Sequence, residues 1–477
     1  MQPSMFNVRV PLEGRDDVFL MNTFTDAQLI VSREVAELLD RLGAEPLPPL
    51  NDDQRDALST LTENGFIVES READRQNVRE FFRGVRESQE QLRVTVLTTL
   101  QCNFACGYCF QGDHGDYNKH AAKMSMETAV RVALWAEERL DTLRPESFAL
   151  TFFGGEPLLN LPVMYYLAER LWAASQARGV RMLVNIITNG LLLTPEVVDR
   201  MAPYGLNGVK ITLDGDRDMH NKMRPLRGGQ GTFDRIIANV RKVAGKCRIS
   251  IGGNFDEESV DTYPALLDFL KEQEFADKLT KVAFKPVIRA PKPAAAPSAG
   301  NKFIALTAVS ETKPLNGTCM TSAGGGVAST SICDTCNFVD DKMSFLREET
   351  MKRGFPTVDG VHMGPCEIHR KHAHTVGPDG ALYACPGFTG DAKMSTGHID
   401  GRRESWRESA ASRFDALAAW KQCDDCAFIP VCAGGCTVAA HTELGNLDAP
   451  NCHKPSFEAG LLTLAREAAR AGAAFVN

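Results

Sequence analysis

The chain has 477 residues, of which 53 are Lys or Arg and 61 are Asp or Glu, for a formal charge of -8 at pH 7. That length exceeds one small core and suits two or three domains, the acidic balance gives no global field for nucleic acid, and no apolar run reaches the roughly 18 residues that span a bilayer. Residues 1–16 lack the basic start and apolar core of a signal peptide, so a soluble, cytoplasmic and reducing setting is expected, in which 14 cysteines imply metal or catalysis rather than disulfides.

The first 92 residues read as a unit of their own. Val8–Leu12 and Asp17–Phe24 have β character, Ser32–Leu42 and Asn51–Gly65 are helical, Gly65–Ser70 is a strand, and Arg71–Gln91 is a charged amphipathic helix. Helix, helix, strand is a winged-helix-like order. From residue 93 the pattern changes to a βα repeat. The apolar strand Val94–Leu100 runs into a loop with Cys102, Cys106 and Cys109 spaced CxxxCxxC, which suits three thiolates on one iron-sulfur cluster. A cubane takes four ligands, so three cysteines leave one iron open to a chelating small molecule. The strand places that iron at a C-terminal strand end, where α/β barrels keep their active sites. Alone, the three cysteines suit zinc or a small apolar role equally.

Ser125 caps an expected helix over Ser125–Leu140, and the strand Phe148–Phe153 then leads into Gly154-Gly155-Glu156-Pro157. The glycines of that turn permit close backbone approach, and its carboxylate can pair with an ammonium group. Further strands are expected at Met182–Ile187 before Thr188-Asn189-Gly190, Gly208–Leu213 before Asp214, Arg248–Gly252 and Lys281–Val287, six βα units in all. The cysteine loop, with Tyr108 just before its last cysteine, and the GGEP turn at the next strand end closely resemble the radical S-adenosylmethionine (SAM) enzymes. The resemblance implies a partial (βα)6 TIM-like barrel over residues 93–289. It implies a 4Fe-4S cluster on Cys102, Cys106 and Cys109 whose open iron holds the amino and carboxylate groups of SAM. It also implies that Gly154, Gly155, Glu156 and Pro157 bind the SAM amino group, and that Thr188, Asn189, Thr212 and Asp214 contact its ribose and methionine. Tyr108 belongs to the same cofactor-binding set, and His220 and Arg224 match a segment facing SAM or substrate. A polar residue at a strand end is as often a helix cap.

Residues 290–360 form a linker or insertion rich in Ala, Pro and Gly that carries Cys319, Cys333 and Cys336. Beyond it, Cys366, a Gly380-x4-Cys385 element, and Cys423, Cys426, Cys432, Cys436 and Cys452 in the pattern CxxCx5CxxxC plus one resemble the SPASM extension of peptide-modifying radical SAM enzymes. The resemblance implies two auxiliary 4Fe-4S clusters in residues 361–455, the distal one on Cys423, Cys426, Cys432 and Cys452 and the proximal one on Cys366, Cys385 and Cys436. A zinc ribbon is the competing reading of CxxCx5CxxxC. No cysteine precedes Cys366 in Val361–Pro365, so the proximal cluster takes a fourth ligand from Cys319, Cys333 or Cys336, or keeps an open iron, or the insertion holds a separate metal. His369, His372 and His374 read as solvated or capping, Cys247 as core, and residues 456–477 as a C-terminal helix.

The architecture expected is therefore α/β: the partial barrel, an N-terminal winged-helix-like domain that either resembles leader-recognition elements or is an appendage supporting the barrel, and a cysteine-rich SPASM domain. The resemblance implies an oxidoreductase, a radical SAM maturase that abstracts hydrogen from a ribosomally made precursor peptide and closes a thioether or carbon-carbon crosslink, with flavodoxin or ferredoxin as electron donor and neither nucleic acid nor membrane as partner. A dehydrogenase of a non-peptide alcohol and a sulfatase-maturing enzyme are the alternatives. The second is disfavoured because Pro386 stands where anaerobic sulfatase maturases place an aspartate base. A noncatalytic iron-sulfur or zinc protein is the reading from another class. No residue of the chain is singled out as a catalytic base.

Overall fold

The computed structural model describes residues 1–43, 49–111, 121–288, 334–358, 360–361, 364–401, 405–423, 425–471 and 475–476. Cys319 and Cys333 lie outside them, and of Cys336 only the helical backbone is described. The N-terminal region comprises β1 (Gln2–Pro3), β2 (Asn7–Pro11), β3 (Asp17–Asn22), β4 (Gln28–Ser32), α1 (Arg33–Arg41), α2 (Asp52–Glu63), β5 (Ile67–Val68) and α3 (Arg71–Glu87). Each helix begins where a short polar side chain caps its orphan amides: Ser32, Asn51 in a reciprocal capping box with Gln54, and Ser70. Strands β2, β3 and β4 form an antiparallel sheet, and β1 pairs with β5.

Residues 91–286 build the βα repeat, with β6 (Gln91–Leu97), α4 (Met126–Leu143), β7 (Ser147–Phe153), α5 (Leu161–Ala177), β8 (Arg181–Thr188), α6 (Pro195–Met201), β9 (Leu206–Thr212), α7 (Arg217–Met223), α8 (Phe233–Val243), β10 (Ile249–Phe255), α9 (Tyr263–Lys271) and β11 (Leu279–Pro286). The six strands lie parallel and adjacent in chain order. Alternate residues such as Val94 and Val96, Met182 and Val184, and Val209 and Ile211 are buried against helix residues including Ala129, Val132, Leu167 and Ile236, which leaves the other face of the sheet to line the site.

The expectation of a linker over 290–360 does not hold for its last third. Helix α10 (Asp334–Lys352) packs on β11, with Leu346 and Phe355 in the main core and Arg353 bound to Asp268 at 2.6 Å. Two buried apolar side chains and an ion pair make this segment part of the barrel wall.

The rest of the C-terminal region contains β12 (Ala373–Val376), β13 (Ala381–Tyr383), β14 (Ser395–His398), α11 (Ser405–Asp415), α12 (Ile429–Cys432), α13 (Thr437–Leu444), α14 (Lys454–Ala471) and β15 (Phe475–Val476). Strand β12 pairs parallel to β6, and β13 and β14 continue antiparallel, so one nine-stranded sheet joins barrel and cysteine-rich region. The last residues depart from the helix expected over 456–477. The helix ends at Ala471, and Phe475 and Val476, a β-prone pair, add a strand parallel to β4.

The N-terminal sheet is not an independent unit. One face packs on α1 and α2 through Leu20, Leu29, Val31, Val35 and Leu61. The other, with Val10, Leu12, Phe19, Met21 and Ile30, shares a core with Phe428, Val431, Phe457 and Leu461. Phe82 of α3 stacks on Trp420 with centroids 4.7 Å apart, and Arg75 reaches Asp425 at 2.8 Å.

Candidate active site

The cysteine loop leaves the C-terminal end of β6 and is held by backbone on two sides. The Gly155 amide donates to the Thr99 carbonyl at 2.9 Å and the Glu156 amide to the Gln101 carbonyl at 2.8 Å. A Cβ on Gly154 would lie 2.2 Å from the Thr99 oxygen, and one on Gly155 2.2 Å from the Gln101 oxygen, so the two glycines are required by the approach of the GGEP turn to the loop. On the far side the Ala105 amide donates to the Pro225 carbonyl, the Arg227 amide to the Asn103 carbonyl, and Arg227 Nε to the Cys102 carbonyl at 2.9 Å.

Glu156 sits where two strand ends meet. Its carboxylate is wholly buried and accepts from the Leu158 amide at 3.0 Å, the Thr188 hydroxyl at 2.7 Å and the Asn189 amide at 2.8 Å. Burial pushes its pKa up and the three donors pull against that rise. An acid so enclosed ties the end of β7 to the end of β8. Pro157 starts the short 3-10 turn Pro157–Asn160, and Asn160 donates to the Thr98 and Met124 carbonyls. Thr188 also accepts from the Gly190 amide, and Asn189 Nδ2 reaches Asn103 Oδ1 at 2.7 Å and Cys102 Sγ at 3.9 Å, so the β8 end touches the cysteine loop directly.

A second network gathers Tyr108, Asp214 and Arg224. The Tyr108 hydroxyl donates to Asp214 Oδ2 and accepts from Arg224 Nη1 at 2.5 Å and from Asn254 Nδ2 at 3.2 Å. Asp214, fully buried, accepts from the Asn254 amide at 2.7 Å and pairs with Arg224 at 3.5 Å. Burial raises the Tyr108 pKa further, so the hydroxyl stays protonated and anchors the ring beside Cys109. His220 is a brace beneath this network. It is fully buried, its Nδ1 accepts from the Asp214 amide at 3.2 Å, and its Nε2 meets the Thr232 hydroxyl at 3.0 Å, which in turn donates to the Arg224 carbonyl. These partners assign the proton to Nε2 and burial holds the ring neutral. Thr212 ends β9 half-buried, in register with Gly252. Asn103 and Asn254, which join the two networks to the loop, carried no motif; their only signal was a polar side chain in the loop and at a strand end.

The thiols fall into three neighbourhoods. Burial pushes Cys102 up to about 12 and also raises Cys106, and each is raised further by the next cysteine of the loop. Cys366, pushed up to about 11, lies within electrostatic reach of Cys436, and Cys385, up to about 12, is close to both. Cys432, also up to about 12, has Cys452, Cys423 and Cys426 around it. Buried thiols of this kind keep their protons unless a metal cation replaces them, which fits clusters as their partners. Among the described residues no three His, Cys, Asp or Glu side chains close on a single ion. A cubane does not need them to, because each thiolate meets a different iron. His369 and His374 are enclosed rather than solvated: burial lowers both to about 4, and His374 packs edge-on against Trp135 at 5.3 Å. Cys247 packs half-buried against the main core, as expected.

Residues 96–270 match the family model described as the radical SAM superfamily, which bears out the resemblance to that family. Among curated proteins the chain is 23% identical over 193 residues to Fe-coproporphyrin III synthase of Methanosarcina barkeri, covering 40% of this chain and 43% of that protein. It is 23% identical over 198 residues to the radical SAM cyclopropyl synthase TigE of Paramaledivibacter caminithermalis, covering 37% and 41%. The chain thus spans about two fifths of the length of these relatives. Among solved structures, native anSMEcpe with bound AdoMet superposes with a TM-score of 0.55 at 17% identity over 79% of this chain and 99% of that one, a likeness of fold. No helix among the described residues is long and apolar enough to cross a membrane.

Proposed function

From the premise that residues 96–270 are a radical SAM domain, we propose that the chain is a SPASM-type peptide maturase that joins two positions of a ribosomally made precursor by a thioether or carbon-carbon bond. The observation that carries this reading is the assembly of two further groups of thiols, Cys366 with Cys385 and Cys436, and Cys432 with Cys423, Cys426 and Cys452, from segments up to 70 residues apart (436 − 366). Cys385 follows β13 of the sheet that carries the SAM loop, and Cys426 and Cys432 pack on the core shared with the N-terminal sheet. The fold likeness to anSMEcpe, which is also known with a bound Cp18Cys peptide, supports a peptide as substrate. The edge strand β2 of the N-terminal sheet is a place where a leader segment can add by strand pairing.

In this reading Cys102, Cys106 and Cys109 hold the SAM-binding 4Fe-4S cluster, and the two other thiol groups hold the auxiliary clusters. Once bound, and reduced by a donor such as flavodoxin or ferredoxin, the cluster and SAM supply a 5′-deoxyadenosyl radical. The chain's own part is positional. Glu156 locks the β7 and β8 ends, Asp214 and Arg224 fix the Tyr108 ring, and the buried His220 holds the Asp214 backbone.

The test uses anaerobically reconstituted full-length chain. About twelve irons per chain are expected for three cubanes. Cys426→Ala should spare uncoupled formation of 5′-deoxyadenosine, because the first loop is intact, yet abolish the mass change in the peptide by removing an electron acceptor. Normal crosslinking by a folded variant that lacks that cluster sinks the electron-acceptor role, and a wild-type iron count near four sinks the assignment of auxiliary clusters.

A further inference from the structure

The inner face of the barrel carries a group of charges that neither network uses. Val209 and Ile211 of β9 are buried against the helices, with Ile211 beside Ile236, so Lys210 between them points to the opposite face, the one that carries Asn254 and the Tyr108 network. Ser250 of β10 pairs in register with Lys210 on one neighbour and Lys281 on the other, and Asn254 pairs with Lys285. Three lysines thus stand on the two strands flanking β10: the backbones at Lys210 and Lys281 are two strand spacings apart, about 10 Å, and Lys285 lies about 13 Å further along β11, distances that flexible four-carbon side chains can close. Gly252 makes room for them: a Cβ there would lie 2.6 Å from Lys210 Cε and 3.4 Å from its Nζ, so the Lys210 chain lies across bare backbone toward the C-terminal, SAM-loop end. Among the described residues none of the three lysines has an ion pair or side-chain hydrogen bond. The same face of β8 and β10 offers Leu183, Asn185, Ile187, Ser250 and Asn254, and no carboxylate.

Resting on the maturase reading, we propose that Lys210, Lys281 and Lys285 form a carboxylate-binding site in the barrel that seats an acidic group of the peptide, either a Glu or Asp side chain or the C-terminal carboxylate, next to the SAM site. Like charges that share one face repel, and a face that holds three with no counter-charge gains most from an anion that completes it. All three lysines are solvent-exposed and so open to an incoming anion, and the partial enclosure of Lys210 with the charges of Lys285 and Lys281 pushes it down to about 8, with no acid to pull it back. The position also selects what is bound. Asn254, in register with Lys285, touches the Tyr108 hydroxyl at 3.2 Å, so a carboxylate among the lysines lies within a side chain's length of the reacting region. A lysine is a point charge with rotatable donors, which suits a carboxylate presented at variable angle.

The test is site-resolved acetylation of the reconstituted full-length chain at pH 8, read by mass spectrometry. The probes are N-acetyl-glutamate α-amide (side-chain carboxylate), N-acetyl-glutamine (α-carboxylate), N-acetyl-glutamine amide (neutral) and inorganic phosphate. One of the two carboxylates at about 10 mM should protect all three lysines, by about tenfold for a millimolar Kd. The neutral amide and chloride at equal ionic strength should not, and Lys246, which is paired with Asp199 on the surface, should be unaffected by every probe. Which carboxylate protects identifies the source of the acid. Lys285→Met should weaken protection of Lys210 and Lys281, and Lys285→Arg should keep it. Protection by neither carboxylate, equal protection by chloride, or stronger protection by phosphate overturns the proposal. Its failure is separable from that of the maturase reading: a peptide modified without carboxylate protection leaves that reading standing, and protection without any peptide modified leaves this site standing.

Discussion

At Gly154 the backbone adopts φ of +141°, and the position of its missing Cβ is already filled by the Thr99 carbonyl. Gly154→Ala therefore has to open the contact between the GGEP turn and the cysteine loop. A cost of about 1–3 kcal/mol is expected from the backbone alone, with 5′-deoxyadenosine formation lost before global folding is; thermal unfolding and the cleavage assay run in parallel on one preparation check this. His220 gives a pH signature. Its folded pKa is lowered, so it stays neutral while the unfolded chain takes up a proton below about pH 6.5. The stability it contributes is present above that pH and is lost as pH falls, by up to about 1.4 kcal/mol per unit. The stability gap between the wild type and His220→Gln should shrink between pH 7.5 and 5 in denaturant melts, and a gap that widens contradicts the neutral brace. The sequence named Glu156, Thr188, Asn189, Asp214 and Arg224 as residues of one site, and the structure gathers them in two adjoining networks. It did not reveal that Glu156 and His220 face inward, because whether a polar side chain at a strand end meets a ligand or a neighbouring strand end depends on packing across the sheet.

The βα elements were legible because period-2 and period-3.6 apolar patterns report directly on a two-sided parallel sheet. All six expected strands overlap observed ones, and Ser125 caps α4 by accepting from Thr128 at 3.0 Å. The pairing of β12 with β6 was not legible, since four residues with three short connections carry no record of a partner some 280 positions away (373 − 93). Helix α10 was missed because the Ala- and Pro-rich stretch before it masked a change in composition. In the cysteine-rich region the turn between Cys432 and Cys436 rests on Gly434 and Gly435. A Cβ on Gly435 would lie 1.8 Å from the Asn451 carbonyl oxygen, which adjoins Cys452. Gly435→Ala should thus push apart the segments that bear Cys436 and Cys452, and lower iron content by about four per chain or more while the first loop keeps its cluster. Iron quantification together with uncoupled SAM cleavage measures both halves of that statement.

Across the whole molecule, residues 1–92, which the sequence places outside the barrel, share a core with the C-terminal region. Phe428, Val431, Phe457 and Leu461 complete their core with Phe19, Met21 and Ile30, and Trp420 with Phe82. A chain lacking residues 1–92 should expose that apolar face, bind a hydrophobic dye and sediment as aggregates, although every cysteine lies beyond residue 100. If the truncated chain is monodisperse and retains its auxiliary irons, the shared core is not needed by the cysteine-rich region. Peptide recognition by the N-terminal sheet is accordingly tested by substitutions on the exposed edge of β2 rather than by deletion.

That shared core also imposes a timetable on synthesis. Val10, Phe19, Met21 and Ile30 leave the ribosome early, while the residues that cover them, Phe428 to Leu461, follow about 400 positions later. At roughly 5–20 residues per second that is an interval on the order of 20–80 s, through which half of a small sheet waits with one side dressed by α1 and α2 and the other bare. A nascent chain of this kind invites a chaperone to occupy the bare side. Its final compaction is tied to the arrival of the segment bearing Cys423, Cys426, Cys432 and Cys452, so closing the two ends of the chain and gathering those four thiols become one event in the life of the protein.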